Sequence, residues 1–271
     1  MLVDTHSHLE SIDNLENVLL EARRAGITKI ISVGTSIESS KKSIKIAQQY
    51  STDDLKIYAT CGIHPKDGKQ EIENLGLSRC IDTLKQLAET SKKVVGVGEA
   101  GLDYYVTGDK RQVTSDKEKR FQRELFEAQI KLAVDLKLPL VIHCRNGWGA
   151  TFDLLLNVSS HLSNVKGVFH SWTGDWQAAK RALDLGFYIS FSGIVTFKNA
   201  KDIQEVARKI PLEKLLLETD SPYLSPEPLR GEQNEPKNVK IVGKFIAGLR
   251  NQPISLIASK TSASAAVLFK I

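Results

Sequence analysis

Eight short β-rich runs, spaced by longer amphipathic stretches, set the tightest limit on what this chain can fold into. They cover residues 1–8, 27–34, 56–64, 94–102, 138–145, 167–172, 187–193 and 215–221. Most are nearly continuous in apolar residues, the pattern of parallel strands buried on both faces. Between them lie helix patterns. Residues 14–24 are followed by Gly26, a stop signal. Thr35-x-x-Glu38 and Ser115-x-x-Glu118 match capping boxes. Phe121, Leu125, Ala128, Leu132 and Leu136 then mark one apolar stripe. Eight strand–helix alternations without a break in composition predict a protein of the α/β class, a single (β/α)8 TIM barrel over residues 1–271. A doubly wound sheet is the structural alternative. No GxGxxG follows the first run and no P-loop motif occurs, so nucleotide binding has no local support. The Pro-rich stretch 221–236 reads as a long loop on the C-terminal face of the barrel, and 237–249 and 253–269 read as closing helices.

Composition narrows the setting. Hydrophobic residues make up 41% of the 271, enough to fill a sizeable core, which argues against disorder. The net charge of +5 permits a polyanionic substrate without demanding one, and no polybasic tail is present. Three scattered cysteines, Cys61, Cys80 and Cys144, are too few for a disulfide framework and suit a reducing compartment. With no apolar stretch of membrane-spanning length, the expectation is a soluble cytoplasmic protein that uses no membrane and no obligate protein partner.

Polar residues fall where each apolar run stops. The first run ends in His6 and His8, the third in His64, the fourth in Glu99, the fifth in His143, the sixth in His170 and the eighth in Asp220. Of the six histidines only His161 lies elsewhere. The C-terminal rim of a (β/α)8 barrel is where catalytic groups from different strands collect. Taken singly, each residue has an ordinary reading as a hydrogen-bonded group, a helix cap or an Asx turn. Their convergence is what argues otherwise, because burying so many titratable groups around one rim is costly unless they pair or bind metal. Imidazoles and carboxylates without thiolates suit Mg²⁺, Mn²⁺ or Zn²⁺. Six candidate ligands exceed one tetrahedral site, and the surplus predicts two divalent cations roughly 3.5–4 Å apart with a carboxylate between them.

Asp4-Thr5-His6-Ser7-His8, Gly62-Ile63-His64-Pro65, Gly98-Glu99-Ala100-Gly101-Leu102-Asp103-Tyr104, Ile142-His143-Cys144-Arg145, Phe169-His170-Ser171-Trp172-Thr173-Gly174 and Glu218-Thr219-Asp220-Ser221-Pro222-Tyr223 occur in that order. Leu229-Arg230-Gly231 and Asn234-Glu235-Pro236 follow. In order and spacing the chain resembles the TatD family of metal-dependent deoxyribonucleases, within the amidohydrolase-like barrels. Two positions depart from the family's habit: Ala100, where a larger residue is common, and Ser264, where Asn is usual. The resemblance implies that His6, His8 and Asp220 bind one metal, that His143 and His170 bind the second, and that Glu99 reaches both.

The expected reaction is hydrolysis of a DNA phosphodiester by a water activated between two cations. Glu99 and Asp220 are the expected catalytic residues, Asp220 orienting the water and accepting its proton. Arg145 and Arg230 are expected to hold phosphate oxygens, and His64 to contact a phosphate or the leaving oxygen. Trp172 and Tyr223 can stack on an unpaired base or pack the barrel mouth. Without a large basic groove, the expected substrate is single-stranded or bound by an end. A barrel of the same kind acting on a small amide, lactone or phosphoester is the alternative, since fold and metal fix chemistry only loosely.

Overall fold

The computed structural model of the chain describes residues 1–106, 114–159, 162 and 165–271; His161 lies outside them. Its strands are β1 (Leu2–Ser7), β2 (Ile27–Ser32), β3 (Lys56–Cys61), β4 (Val94–Asp103), β5 (Leu140–Arg145), β6 (Gly167–Phe169), β7 (Tyr188–Phe191) and β8 (Leu215–Leu217). They lie in one sheet in chain order, and every neighbouring pair is parallel. The helices alternating with them are α1 (Leu15–Arg24), α2 (Ile37–Gln49), α3 (Lys69–Leu75), α4 (Leu77–Thr90), α5 (Asp116–Leu136), α6 (Trp148–Ser159), α7 (Trp176–Asp184), α8 (Lys201–Lys209), α9 (Val239–Leu249) and α10 (Ile254–Phe269). This is the (β/α)8 barrel expected from the eight runs.

Val3, Ile31, Val95, Val141, Val168 and Leu216, one from each of six strands, cluster apart from the larger core between sheet and helices. Ala265, Leu268 and Phe269 at the end of α10 pack against them. The last helix therefore plugs the barrel with apolar side chains at the end remote from His6, leaving the opposite mouth polar.

The ring closes between β1 and the segment after β8. Ser7 bridges Ser221, the Asp220 N–H donates to the His6 carbonyl at 2.9 Å, and the His8 N–H donates to the Ser221 carbonyl at 2.7 Å. Buried Asp4 accepts from the N–H of Thr219 at 2.9 Å and from its hydroxyl at 2.6 Å. Because water cannot reach this closure, its polar groups must satisfy one another. That need fixes His6, His8 and Asp220 relative to each other.

Several strand boundaries are shorter than the apolar runs. The sixth, seventh and eighth runs extend beyond the last paired residues, Phe169, Phe191 and Leu217. Apolar continuity reports burial, whereas strand pairing stops where the backbone turns: Ser171 has φ 41° and Asp220 φ 60°, both left-handed. The capping box at α2 is displaced by one residue. Ser36 caps the N–H of Ser39, and the Ser39 hydroxyl returns the bond, so Thr35 and Glu38 do not form the box. At α5 the Ser115 hydroxyl accepts from the Glu118 N–H, one of the two bonds of the expected box; the return bond from the Glu118 side chain is not among those of the described residues. Residues 221–236 form the long loop, and a short 3-10 turn, Pro236–Asn238, precedes α9.

Candidate metal centre

Glu99 owes its inward aim to an irregularity in β4. Val97 pairs with Leu140 and Ala100 with Ile142, so three steps on β4 match two on β5. Such a bulge re-aims a side chain. It is flanked by two glycines at positive φ, Gly98 at +146° and Gly101 at +154°. A Cβ on Gly98 would stand 2.5 Å from the Val141 carbonyl oxygen, and one on Gly101 would stand 1.9 Å from that of His143. Only glycine lets β4 approach β5 closely enough here. A second shift in β1, between Asp4 and Ser7, does the same around His6.

The two oxygens of Glu99 face different histidines. Oε1 is 2.8 Å from His143 Nδ1 and 2.9 Å from His170 Nε2. Oε2 is 3.4 Å from His6 Nε2 and 3.7 Å from His8 Nε2. Asp220 Oδ1 completes the second group, 3.3 Å from each of those nitrogens. His64 joins at the edge, its Nε2 3.7 Å from Glu99 Oε1 and its Nδ1 3.1 Å from Asp67. All six expected ligands thus meet in one place, with His64 beside them. His8, Glu10, His64, Asp67, Asp220 and Tyr223 are among the residues lining a cavity of about 260 Å³ that opens above.

The remaining expected contacts are scattered. Arg145 ends β5, exposed, with its guanidinium 3.7 Å over the Tyr105 ring; Arg230 lies 4.4 Å over Phe197. Neither lines the cavity. Trp172 is 1% exposed and packs on Trp148 and Phe169, so it serves the core rather than a base. Tyr223 is 55% exposed, edge-on to His8 at the mouth.

The electrostatics are those of crowded, buried charges. Burial alone would raise Glu99, but the charge of His170 and the contacts from His143, His170 and His6 outweigh it and hold the carboxyl well below the usual range. Burial likewise opposes charge on His8, yet Asp220, Glu99 and Glu10 push it up to about 9. His143 and His170 are also raised, against burial, by their carboxylates. His6 is lowered by burial and by His170. Asp220 stays low because His8 and His6 outweigh its burial.

This donor set fits divalent cations. Asp220 Oδ1 is buried without a hydrogen-bond partner among the described residues, 3.3 Å from the Nε2 atoms of His6 and His8. His6–His8–Glu99 and Glu99–His143–His170 each bring three donor atoms within 4.8 Å of one another. His64–Asp103–His143 and His6–His170–Glu218 do so as well. Nitrogen and oxygen donors without thiolate suit Zn²⁺, Mn²⁺ or Mg²⁺.

Several residues that position the site carried no separate reading in the sequence. Gln122 and Gln129, seven apart on α5, use their amides to grip the backbones of Asp103 and Ile63 through two hydrogen bonds each. Asn234 donates to the carbonyls of Thr219 and Tyr223, tying the late loop to Asp220. Asp103 lies 3.3 Å behind His143, Glu218 lies 3.4 Å behind His170 and Glu10 lies 3.9 Å behind His8. Two glutamines at i, i+7 on one helix and an acidic residue ending an apolar run are signals that could have found Gln122, Gln129, Asp103 and Glu218; nothing comparable marks Asn234 or Glu10.

A parallel eight-stranded barrel whose C-terminal rim gathers imidazoles and carboxylates around a shared glutamate is a metal-dependent hydrolase. The chain belongs to the TatD family: the family described as TatD related DNase matches residues 3–270. A metal-dependent hydrolase of Buchnera aphidicola subsp. Acyrthosiphon pisum is 36% identical over 282 residues, covering all of this chain and 99% of the relative. A protein of Citrobacter koseri named 3'-5' ssDNA/RNA exonuclease TatD is 30% identical, covering 96% of this chain and 94% of its own. Among solved structures, YJJV, a TatD homologue of Escherichia coli, superposes with a TM-score of 0.86 at 30% identity, covering 100% of this chain and 98% of that one. No helix among the described residues is long and apolar enough to cross a membrane.

Proposed function

We propose that this chain is a deoxyribonuclease that hydrolyses phosphodiester bonds of DNA, single-stranded or engaged from an end, with two divalent cations sharing Glu99. Residues 1–271 act as one barrel domain. The observation that carries the reading is the division of Glu99, one oxygen toward His143 and His170 and the other toward His6 and His8. His6, His8 and Asp220 would hold one cation, and His143 and His170 the other. When bound, such a pair supplies Lewis-acid charge and brings water into its nucleophilic form near neutral pH.

The chain's own groups do the rest. Asp220 is ionised near neutrality, reaches the cavity and has an unpartnered oxygen, which suits it to orient the attacking water and take its proton. His64, held at Nδ1 by Asp67, points Nε2 toward Glu99 and can meet a phosphate oxygen or the leaving group. Arg145 and Arg230, braced on Tyr105 and Phe197, present guanidinium edges suited to phosphates further along a strand. Tyr223 offers an exposed ring for a base.

A cavity of about 260 Å³ falls just below the ~300–1,000 Å³ of ordinary ligand pockets and suits a terminal nucleotide rather than a duplex. The exonuclease name of the Citrobacter koseri relative supports the same substrate class. Three unbridged, buried cysteines fit a cytoplasmic setting. A panel of single-stranded and duplex oligonucleotides, lactones and cyclic amides tests the assignment. Turnover of oligonucleotides, faster for single strands, is expected; rapid turnover of a lactone or amide with none of DNA would contradict it.

A further inference from the structure

We infer that Glu218 is a positioning residue shared by both cation sites, its carboxylate keeping the protons of His6 and His170 on Nδ1 so that each ring turns Nε2 to Glu99. The inference rests on the two-cation reading above and concerns what stands behind the ligands.

His6 and His170 lie stacked, their centroids 4.0 Å apart and their planes 10° from parallel. At the front, each offers Nε2 to a different oxygen of Glu99. At the back of His170, Glu218 Oε1 stands 3.4 Å from Nδ1, and one ring nitrogen of His6 lies within 4.8 Å of the donor atoms of His170 and Glu218. His6 Nδ1, His170 Nδ1 and Glu218 Oε2 are all buried and have no hydrogen-bond partner among the described residues. Two parallel imidazoles are thus set between two glutamates. Glu218 is 1% exposed and firmly placed: it accepts the Ser171 N–H at 2.6 Å, and its own N–H donates to the Phe191 carbonyl at 3.1 Å.

A neutral imidazole carries one N–H, and the partner of one nitrogen decides which nitrogen is left to bind a metal. Carboxylates behind metal-bound histidines commonly serve this purpose. The alternative occupant of this buried space is a third cation. Holding one would require both rings to lose their Nδ1 protons and bridge as imidazolates, whereas a carboxylate facing two N–H groups needs no such loss. Asp103 gives the contrast. It stands 3.3 Å from His143 Nε2 and is fixed by the Tyr105 N–H at 2.8 Å; the other imidazole within 4.8 Å of it, His64, is not one of the six expected ligands, so it backs one ligand ring, at one site.

The test compares calorimetric Zn²⁺ titrations of the wild type, Glu218→Gln and Asp103→Asn, with the metal-free melting curve of each as a control for folding. Glutamine can still accept from Ser171 but places an amide donor where the second carboxylate oxygen was. Glu218→Gln is expected to weaken both binding steps by ~10–100-fold, and Asp103→Asn only one. In Zn²⁺-loaded protein labelled with ¹⁵N-histidine, the Nδ1–H protons of His6 and His170 should lie downfield in the wild type and move upfield in Glu218→Gln but not in Asp103→Asn, a change that a purely structural role would not create. If Glu218→Gln fails to fold, Glu218→Asp, which keeps the charge but withdraws it, should still weaken both steps. Unchanged binding in the folded variant, or loss of a single step, overturns the shared role. A wild type that takes up no Zn²⁺ at all overturns the two-cation reading and this inference with it.

Discussion

Glu99 presents Oε1 to Nδ1 of His143 at 2.8 Å while its other oxygen faces His6 at 3.4 Å. One carboxylate thereby spans two groups of ligands, and losing its charge should disable both. Glu99→Gln is expected to cut nuclease turnover by ~10²-fold or more, the scale on which a preorganised charge acts. Bound metal, measured by mass spectrometry of the gently desalted protein, should fall with it while the circular dichroism spectrum is kept. Near-normal turnover with full metal content would show that Glu99 does not bridge.

If His8 holds a cation as proposed, proton and metal compete for its ring. In the metal-free protein Asp220, Glu99 and Glu10 outweigh its burial and push His8 up to about 9 from an ordinary 6.5. A raised pKa in the folded state stabilises fully below the unfolded value and loses that contribution as pH rises through the folded one. The melting temperature of EDTA-treated protein should therefore fall between pH 6.5 and 9. A cation needs the unprotonated ring, so its affinity should grow over the same interval. Melting curves with and without Mn²⁺ should diverge as pH rises; parallel curves would contradict the competition.

Gly101→Ala tests the approach of β4 to β5. The added Cβ would stand 1.9 Å from the His143 carbonyl oxygen, at φ +154°. Something must shift, at a cost of about 1–3 kcal/mol or more by chemical denaturation. Because the displaced backbone carries His143, activity should drop further than stability alone explains. A variant as stable and active as the wild type would mean that this contact is looser than it stands here.

How much of this was legible beforehand differs between fold and site. The barrel was readable because parallel strands covered on both faces are written as unbroken apolar runs. Where pairing stops was not, since residues such as His170 and Asp220 stay buried after the ladder ends, and burial alone shapes the run. The six candidate ligands were visible as a group because a titratable residue closing an apolar run is conspicuous. Glu218 and Asp103 close runs too, but they stand behind the ligands, and depth is not encoded in spacing. Trp172 shows the same limit in reverse: beside a ligand in sequence, it turns down into Trp148 and Phe169.

Tyr223 is the aromatic residue left at the mouth, edge-on to His8 at 5.7 Å. If it carries a base, Tyr223→Ala should raise KM for single-stranded oligonucleotides about tenfold, matching ~1–3 kcal/mol for one stacked base. Tyr223→Phe should be close to wild type. Steady-state kinetics on a short oligonucleotide decide it, and an unchanged KM in the alanine variant removes Tyr223 from the substrate site.

The central claim, that this TatD-family hydrolase cleaves DNA through cations held by His6, His8, Glu99, His143, His170 and Asp220, is tested most directly by one assay. Protein stripped with EDTA and dialysed is given a labelled single-stranded oligonucleotide, then Mg²⁺ or Mn²⁺ is restored. Cleavage should vanish on stripping and return on restoration, with a midpoint that tracks occupancy of two sites. Cleavage that persists in fully metal-free protein would contradict the account.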